Sequence, residues 1–488
     1  MSQLVDTRRD SRWLALIVLC AGMLMIILDG TIVNVALPAI QADLEFSQPG
    51  LAWVVNAYLI PFGGLLLLAG RAGDLLGRKQ MFLAGLVVFT LASLLCGLAG
   101  SQEMLIAARF VQGIGGAMAA AVILGMIVTM FPEKAEQSRA IGVFSFVAAA
   151  GGSIGLLAGG VLTQAISWHW IFFVNAPIGI AAFLFAVRLV PGERGIGLRH
   201  GADVLGALLG TSGLMLGVYT IVKAADYGWG SARTLIVGAV AVALLAAFVW
   251  RQARVANPLL PLRILASRNL AGANLIQVLM VAGMFGMFFL GALYLEKVLG
   301  YDPLQIGLGF LPVGVGIGAL SLGASARLSG RFGERFVLVG ALLLVLAGLA
   351  LLTRAPVNAS YVTDFLPSTV LMGVGAGLGF PAMMTLAMSG VTKDDSGLAS
   401  GLVNTTQQVG GALGLAVLAT LSTSRTNGLL AAGESPVEAM TSGFRLAFGV
   451  GAALVAVAVG LAVFVLRRPE PDEADEVAVP LRVQVEVS

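Results

Sequence analysis

The sequence predicts an all-α polytopic membrane protein of 14 transmembrane helices: two six-helix pseudo-repeat bundles, two inserted helices, and both termini cytoplasmic. Three observations carry this prediction. Of 488 residues, 58% are hydrophobic and 11% charged, with a mean hydropathy of +0.94, far outside the range of soluble globular domains. Apolar runs of about twenty residues recur from end to end, each able to cross a hydrocarbon core roughly 30 Å thick. The basic residues are sorted by side. Only Lys223, Arg233, Lys297, Arg354, Arg425 and Arg445 fall in external segments and only Arg109 within a span; every other Lys and Arg of the 29 lies on the cytoplasmic side, as the positive-inside rule requires.

Span one, residues 13–35, follows the basic start Arg8, Arg9 and Arg12 and is too long for a signal-peptide core, so it is expected to remain as a helix. Span two (50–69) ends at the turn Gly70-Arg71-Ala72-Gly73-Asp74-Leu75-Leu76-Gly77-Arg78-Lys79, and spans three (81–99) and four (104–130) follow. Span five (140–163) is rich in glycine, and span six (170–189) opens on Trp168-His169-Trp170, an interfacial aromatic belt. Spans seven and eight, within 203–250, form the inserted pair. Spans nine to fourteen cover 269–294, 304–326, 336–353, 365–389, 398–422 and 444–466. Runs this long and apolar are helices, because lipid offers no partner for backbone polar groups.

These boundaries give a cytoplasmic N-terminus (1–12), an N-terminal bundle (13–189), the inserted helices (203–250), a C-terminal bundle (269–466) and an acidic tail (467–488) expected to be disordered. A weak repeat relates the bundles. The turn Gly70 to Lys79 is echoed by Ala326-Arg327-Leu328-Ser329-Gly330-Arg331-Phe332-Gly333-Glu334-Arg335, each with a glycine seven residues in. Repeats of this kind are found in secondary transporters.

Several classes are excluded. No Gly-x-x-x-x-Gly-Lys-Ser/Thr loop occurs, which argues against an ATP-driven pump. A membrane-embedded enzyme needs clustered intramembrane His, Cys or acids, yet there are two His, and Cys20 and Cys96 read as small hydrophobes. No cofactor, metal or nucleic-acid partner is expected.

Asp29 lies deep in span one, where an ionised carboxylate costs a few kcal/mol unless it has a partner or a function. Arg109 lies about 8 Å below the external surface, and at 1.5 Å per residue Asp29 reaches a similar level. A pair between them can hold helix packing, or it can link proton binding to conformation, because protonating Asp29 releases Arg109. In the turn after span two, Asp74 sits at a cytoplasmic helix end, suited to the amides of a neighbouring helix N-terminus, with Arg78 and Lys79 near headgroups. Gly151, Gly155 and Gly159 make a smooth face on span five, next to Gly160. Buried polar residues, Asn34, Asn56, Tyr58, Gln112, Asn274, Gln277, Asn404, Gln407 and Gln408, are candidates for a substrate path or for interhelical bonds. Met280, Met284 and Phe285 add adaptable apolar surface on span nine. Glu296 and Lys297 read as rim charges.

The turn Gly70 to Lys79 and the segment Leu105-Ile106-Ala107-Ala108-Arg109-Phe110-Val111-Gln112-Gly113 resemble signature motifs of the major facilitator superfamily. The Asp29 segment, the stretch Trp168 to Gly179 and the span count resemble its fourteen-helix drug:proton antiporter branch. The resemblance implies that Asp74 holds a cytoplasmic gate near Ser396 to Ser400, that Arg109 is tied to proton coupling, and that Gly151, Gly155, Gly159 and Gly160 form the antiporter motif, with Leu156 where that motif usually has Pro. It further implies proton-coupled efflux of lipophilic, often cationic drugs by a monomer in the inner membrane, its partners being drug, protons and bilayer. Export of one metabolite or self-resistance antibiotic, or uptake by proton symport, stays open.

Overall fold

The computed structural model describes residues 2–192, 195, 197, 202–256, 258–321, 324–389 and 396–467. The acidic tail therefore lies outside the described residues. Sixteen α-helices follow one another, beginning with α1 (Ser2–Leu44), α2 (Gln48–Leu76), α3 (Arg78–Gly97), α4 (Gln102–Met130) and α5 (Lys134–Ala165). Next come α6 (Trp170–Phe173), α7 (Asn175–Leu189), α8 (Val204–Tyr227) and α9 (Ala232–Gln252). The remainder is α10 (Arg268–Lys297), α11 (Pro303–Ser321), α12 (Ala324–Phe332), α13 (Glu334–Leu352), α14 (Leu366–Met388), α15 (Ser396–Ala431) and α16 (Pro436–Phe464). Among the described residues, 12 helices are long and apolar enough to cross a membrane, the segment of α6 and α7 (Trp170–Leu189) counting as one.

Several helices outrun the expected spans: α2 continues to Leu76, α15 to Ala431, and α16 begins at Pro436. Span one was read as 13–35, but α1 runs on through Pro38 to Leu44 and stops at Glu45, whose φ of 56° leaves the helical region. A hydropathy run registers only the lipid-immersed part of a helix, and one proline removes a single backbone bond that a buried helix can spare. Span six is broken at Val174 into α6 and α7. Pro177 has no N–H to offer the carbonyl four residues earlier, which falls at Phe173.

The pseudo-repeat has a common geometry. Gly77 ends α2 with φ 110° and its N–H bonds Gly73 O at 2.9 Å; Gly333 ends α12 with φ 86° and its N–H bonds Ser329 O at 2.8 Å. Both glycines occupy backbone space that side chains avoid, and each launches the next helix.

Helices α1 to α5 and α7 pack on one another, as do α10, α11 and α13 to α16; the groups meet mainly at two seams, α2 against α15 and α5 against α11, and α1 also touches α10 and α11. Glycine makes the second seam close. A methyl on Gly160 would lie 2.9 Å from Pro303 O, and one on Gly307 would lie 2.6 Å from Leu156 O. Helix α8 touches both α2 and α15, whereas α9 pairs with α8 and turns Leu235, Ile236, Val242 and Trp250 outward.

Candidate functional site

Side chains of two helices, α4 and α7, converge on the Asp29 carboxylate of α1. Arg109 Nη1 of α4 donates to Asp29 Oδ2 at 2.5 Å. Gln112 Nε2, one turn along α4, donates to Oδ1 at 2.8 Å, and Asn175 Nδ2, the first residue of α7, donates to the same oxygen at 2.9 Å. Asp29, Arg109, Gln112, Asn175 and Ser93 are all 0% exposed, so every charge and amide must find its partners inside the protein.

The second layer fixes the first. Arg109 Nε donates to the Val54 carbonyl of α2 at 2.9 Å and Nη1 also donates to Gln112 Oε1 at 2.8 Å. Its guanidinium lies 4.3 Å from the Tyr58 ring centroid and 5.7 Å from that of Phe172, a cation–π arrangement that gains strength where water is excluded. Asn175 Nδ2 also donates to Ser93 Oγ of α3 at 3.0 Å, and Ser93 donates to the Phe172 carbonyl at 2.9 Å. Cys96 leans on Gln112 Oε1 at 3.6 Å. Two polar atoms stay unpartnered, Arg109 Nη2 and Asn175 Oδ1.

The remaining sequence candidates divide among other places. Gln112 and Tyr58, expected on the substrate path, belong to the Asp29 network. Asn34 bonds the Gly30 and Thr31 carbonyls of its own helix. Gly30, adjacent to Asp29, has nothing within 4 Å of where a Cβ would stand, so α1 turns its carboxylate inward and this glycine to open space. Asn274 accepts from Thr406 of α15 at 2.7 Å and, like Gln277, is buried. Asn404 and Gln407 are half-buried on α15, and Gln408 packs on Gly63 at the α2 seam. Asn56 is fully buried with both amide atoms unpartnered.

The expected turn Gly70 to Lys79 is helical except at Gly77: Arg78 at the start of α3 holds Asp74 Oδ1 of α2 at 3.0 Å and reaches Gly125 O, while Lys79 reaches Val187 O at 2.8 Å. Gly70 and Gly73 pack toward Ala121 and Val122 of α4. The expected partner of Asp74 was the start of α15; the side chains of residues 396–398 and 400 lie outside the described residues, and among the described residues Asp74 bonds Arg78. On α5 the glycine motif serves two neighbours: Gly151, Gly155 and Gly159 face α1, and Gly160 faces α11.

Sequence reasoning missed Asn175 and Ser93. Asn175 carries the same signal that exposed Asp29, a polar side chain within an apolar span, but a neutral amide is too common in helices for that signal to single it out.

A family model described as Major Facilitator Superfamily matches residues 19–415. The chain belongs to the Major Facilitator Superfamily. This superfamily member is 41% identical over 480 residues to a puromycin resistance protein of Streptomyces alboniger, covering 96% of this chain and 94% of that one. It is 38% identical over 449 residues to a cephamycin export protein of Amycolatopsis lactamdurans, covering 91% of each. A crystal structure of a bacterial homologue of the human lysosomal transporter Spinster, inward-facing and unoccupied, superposes with a TM-score of 0.65 at 16% identity over 93% of this chain and 97% of that one. By family and fold this is a multi-pass membrane transporter of small molecules and not an enzyme.

Proposed function

We propose that this transporter exports antibiotics or other lipophilic drugs from the cytoplasm, driven by protons that enter through Asp29. The observation that carries the reading is the sealed ion pair of Asp29 and Arg109, combined with relatives named for antibiotic resistance and export. A carboxylate held by one guanidinium and two amides has two stable conditions, ionised and bound or protonated and released. Exchange between them supplies the differential interaction that alternating access requires.

In this reading α5 and α15 also span the membrane, raising the count to fourteen, with both termini cytoplasmic and the chain a monomer in the inner membrane. Helices α1 to α7 form one rocking bundle and α10 to α16 the other, with α8 and α9 inserted between them. Asp74 latches the cytoplasmic side. The glycine seams of α5 carry the sliding surfaces, and α10 and α15, through Asn274, Gln277, Asn404, Gln407 and Gln408, line the path of the drug.

The test uses proteoliposomes holding the purified chain, with puromycin and a cephamycin as first compounds. Drug added on the cytoplasmic face is expected to release lumenal protons in the native protein and not in Asp29→Asn. Equal release by both proteins removes Asp29 from the mechanism. A narrower reading, export of one antibiotic only, is favoured by relatives each named for a single compound; response to one drug in a broad panel would decide for it.

A further inference from the structure

The groups around the Asp29 carboxylate suit its ionised state only. Every group aimed at the carboxylate is a donor: Arg109 Nη1 on Oδ2, and Gln112 Nε2 and Asn175 Nδ2 on Oδ1. A proton delivered from water forms an O–H bond on Asp29 and neutralises it, and the new O–H must then donate. Oδ1 is the oxygen away from the guanidinium, so the acceptor has to come from one of the two amides. Gln112 has none to spare, because its Oε1 already receives Arg109 Nη1 at 2.8 Å and the Cys96 thiol. Asn175 does: its Oδ1 is buried and unpartnered.

We propose that Asn175 is a positioning residue that reads the protonation state of Asp29 by rotating its side-chain amide. With Asp29 ionised, the NH2 faces Oδ1, since a carbonyl there would repel the carboxylate. With Asp29 protonated, a half-turn about the terminal torsion brings Asn175 Oδ1 to accept the new O–H. That torsion is broad and two-fold, so the rotation needs no backbone change. It also withdraws the NH2 from Ser93 Oγ. The Ser93 hydroxyl, which donates to the Phe172 carbonyl at 2.9 Å, is then drawn to donate to Asn175 instead. Phe172 lies two residues before the break at Val174, and Asn175 opens α7 directly after it. The proton's arrival is thereby written into the hydrogen bonds that hold the α6–α7 junction.

The other titratable groups beside Asp29 are Arg109 from α4, Tyr58 from α2 and Cys96 from α3; α7 contributes the Asn175 amide. The proposal rests on the reading that Asp29 exchanges a proton during transport, and its test separates the two.

Infrared difference spectra across a pH titration of the reconstituted full chain identify the protonated Asp29 band by its loss in Asp29→Asn. In the native protein an asparagine amide carbonyl band is expected to shift together with it, and in Asn175→Leu the acid band moves to higher wavenumber because its O–H has lost an acceptor. Puromycin-driven proton release falls about tenfold in Asn175→Leu. Asn175→Ser, whose hydroxyl both donates and accepts, recovers most of it. An unmoved Asp29 band in Asn175→Leu overturns the switch. So does the absence of any amide shift in the native spectrum, a measurement that stands even where the leucine variant does not fold. Native proton release in Asp29→Asn would instead defeat the reading beneath it.

Discussion

Arg109 stands between Asp29 and Tyr58, bonding the carboxylate at 2.5 Å through Nη1 while its guanidinium lies 4.3 Å from the centroid of the Tyr58 ring. One cation therefore ties α1 to α4 electrostatically and α4 to α2 through a ring face and the Val54 carbonyl. Removing the carboxylate strands a fully buried charge, a loss of roughly 3–5 kcal/mol in comparable sites. Asp29→Asn is expected to melt at lower temperature in detergent and to lose drug-driven proton flux. Adding Arg109→Gln should restore the melting temperature without restoring transport, which separates the energetic role of the pair from its coupling role.

Arginine is required for its shape as well as its charge. A lysine at this position keeps the charge but cannot serve Val54 O, Asp29 and Gln112 at once, since it lacks the planar fork. Arg109→Lys is expected to fold and reach the membrane yet give less than about a tenth of native resistance in a pump-deficient host, a factor of ten being what 1.4 kcal/mol represents. Native resistance in that strain would mean that charge alone suffices.

Close approach of α5 to α1 predicts a graded glycine series. A methyl on Gly159 would lie 2.7 Å from Ile32 O, a backbone atom that cannot rotate away. Gly159→Ala should cost about 1–3 kcal/mol, read as a lower melting temperature. Gly30→Ala, with nothing within 4 Å, is the control and should leave stability unchanged.

Asp74 and Arg78 form an exposed i,i+4 pair, with 42% and 29% of the side chains accessible. Such pairs contribute at most about 0.5 kcal/mol. Asp74→Asn is therefore expected to leave the melting temperature nearly unchanged while depressing efflux through the latch. A fall in both together would mark Asp74 as a stabilising residue and count against gating.

Asp203, the N-cap of α8, supplies a pH prediction. Burial alone would push its carboxyl up, but the Arg251 guanidinium, the Gly206 amide and the Gln252 amide together hold it below the usual carboxylate range. A carboxyl lower in the folded than in the unfolded chain contributes stability that is fully present above its ordinary value and is lost as pH falls through the depressed one. The α8–α9 pair should keep its native thermal stability down to acidic pH and lose it only below the ordinary carboxylate range. Asp203→Asn should flatten that acid limb.

The sequence revealed what strong energetics demanded. Asp29 and Arg109 were legible because each is a deep charge at matching depth, and an unpaired charge in lipid is too costly to leave alone. The repeat was legible through Gly77 and Gly333, because positive φ restricts the residue choice. Neutral amides carry no such penalty signal: whether Gln112 faces a drug path or Asp29 depends on helix rotation, and Asn175 on a break at Val174 that hydropathy smooths over. The extent of α1 past Pro38 was hidden for the same reason, since apolar runs record lipid contact and not helix length. The bond from Arg78 to Asp74 was less legible, because i,i+4 spacing shows such a pair only once Gly77 is known to bring the start of α3 back onto the end of α2.

Asp29 and Gly30 are adjacent, and on an α-helix adjacent residues point about 100° apart. The carboxylate looks into the sealed interior of its own bundle and the glycine into open space. Under the proposed mechanism, a side chain introduced at Gly30 would reshape the open side of α1 without touching any partner of the carboxylate. Substitutions on that open side therefore leave the acid, its arginine and its two amides in place, so the two faces of α1 can be altered independently.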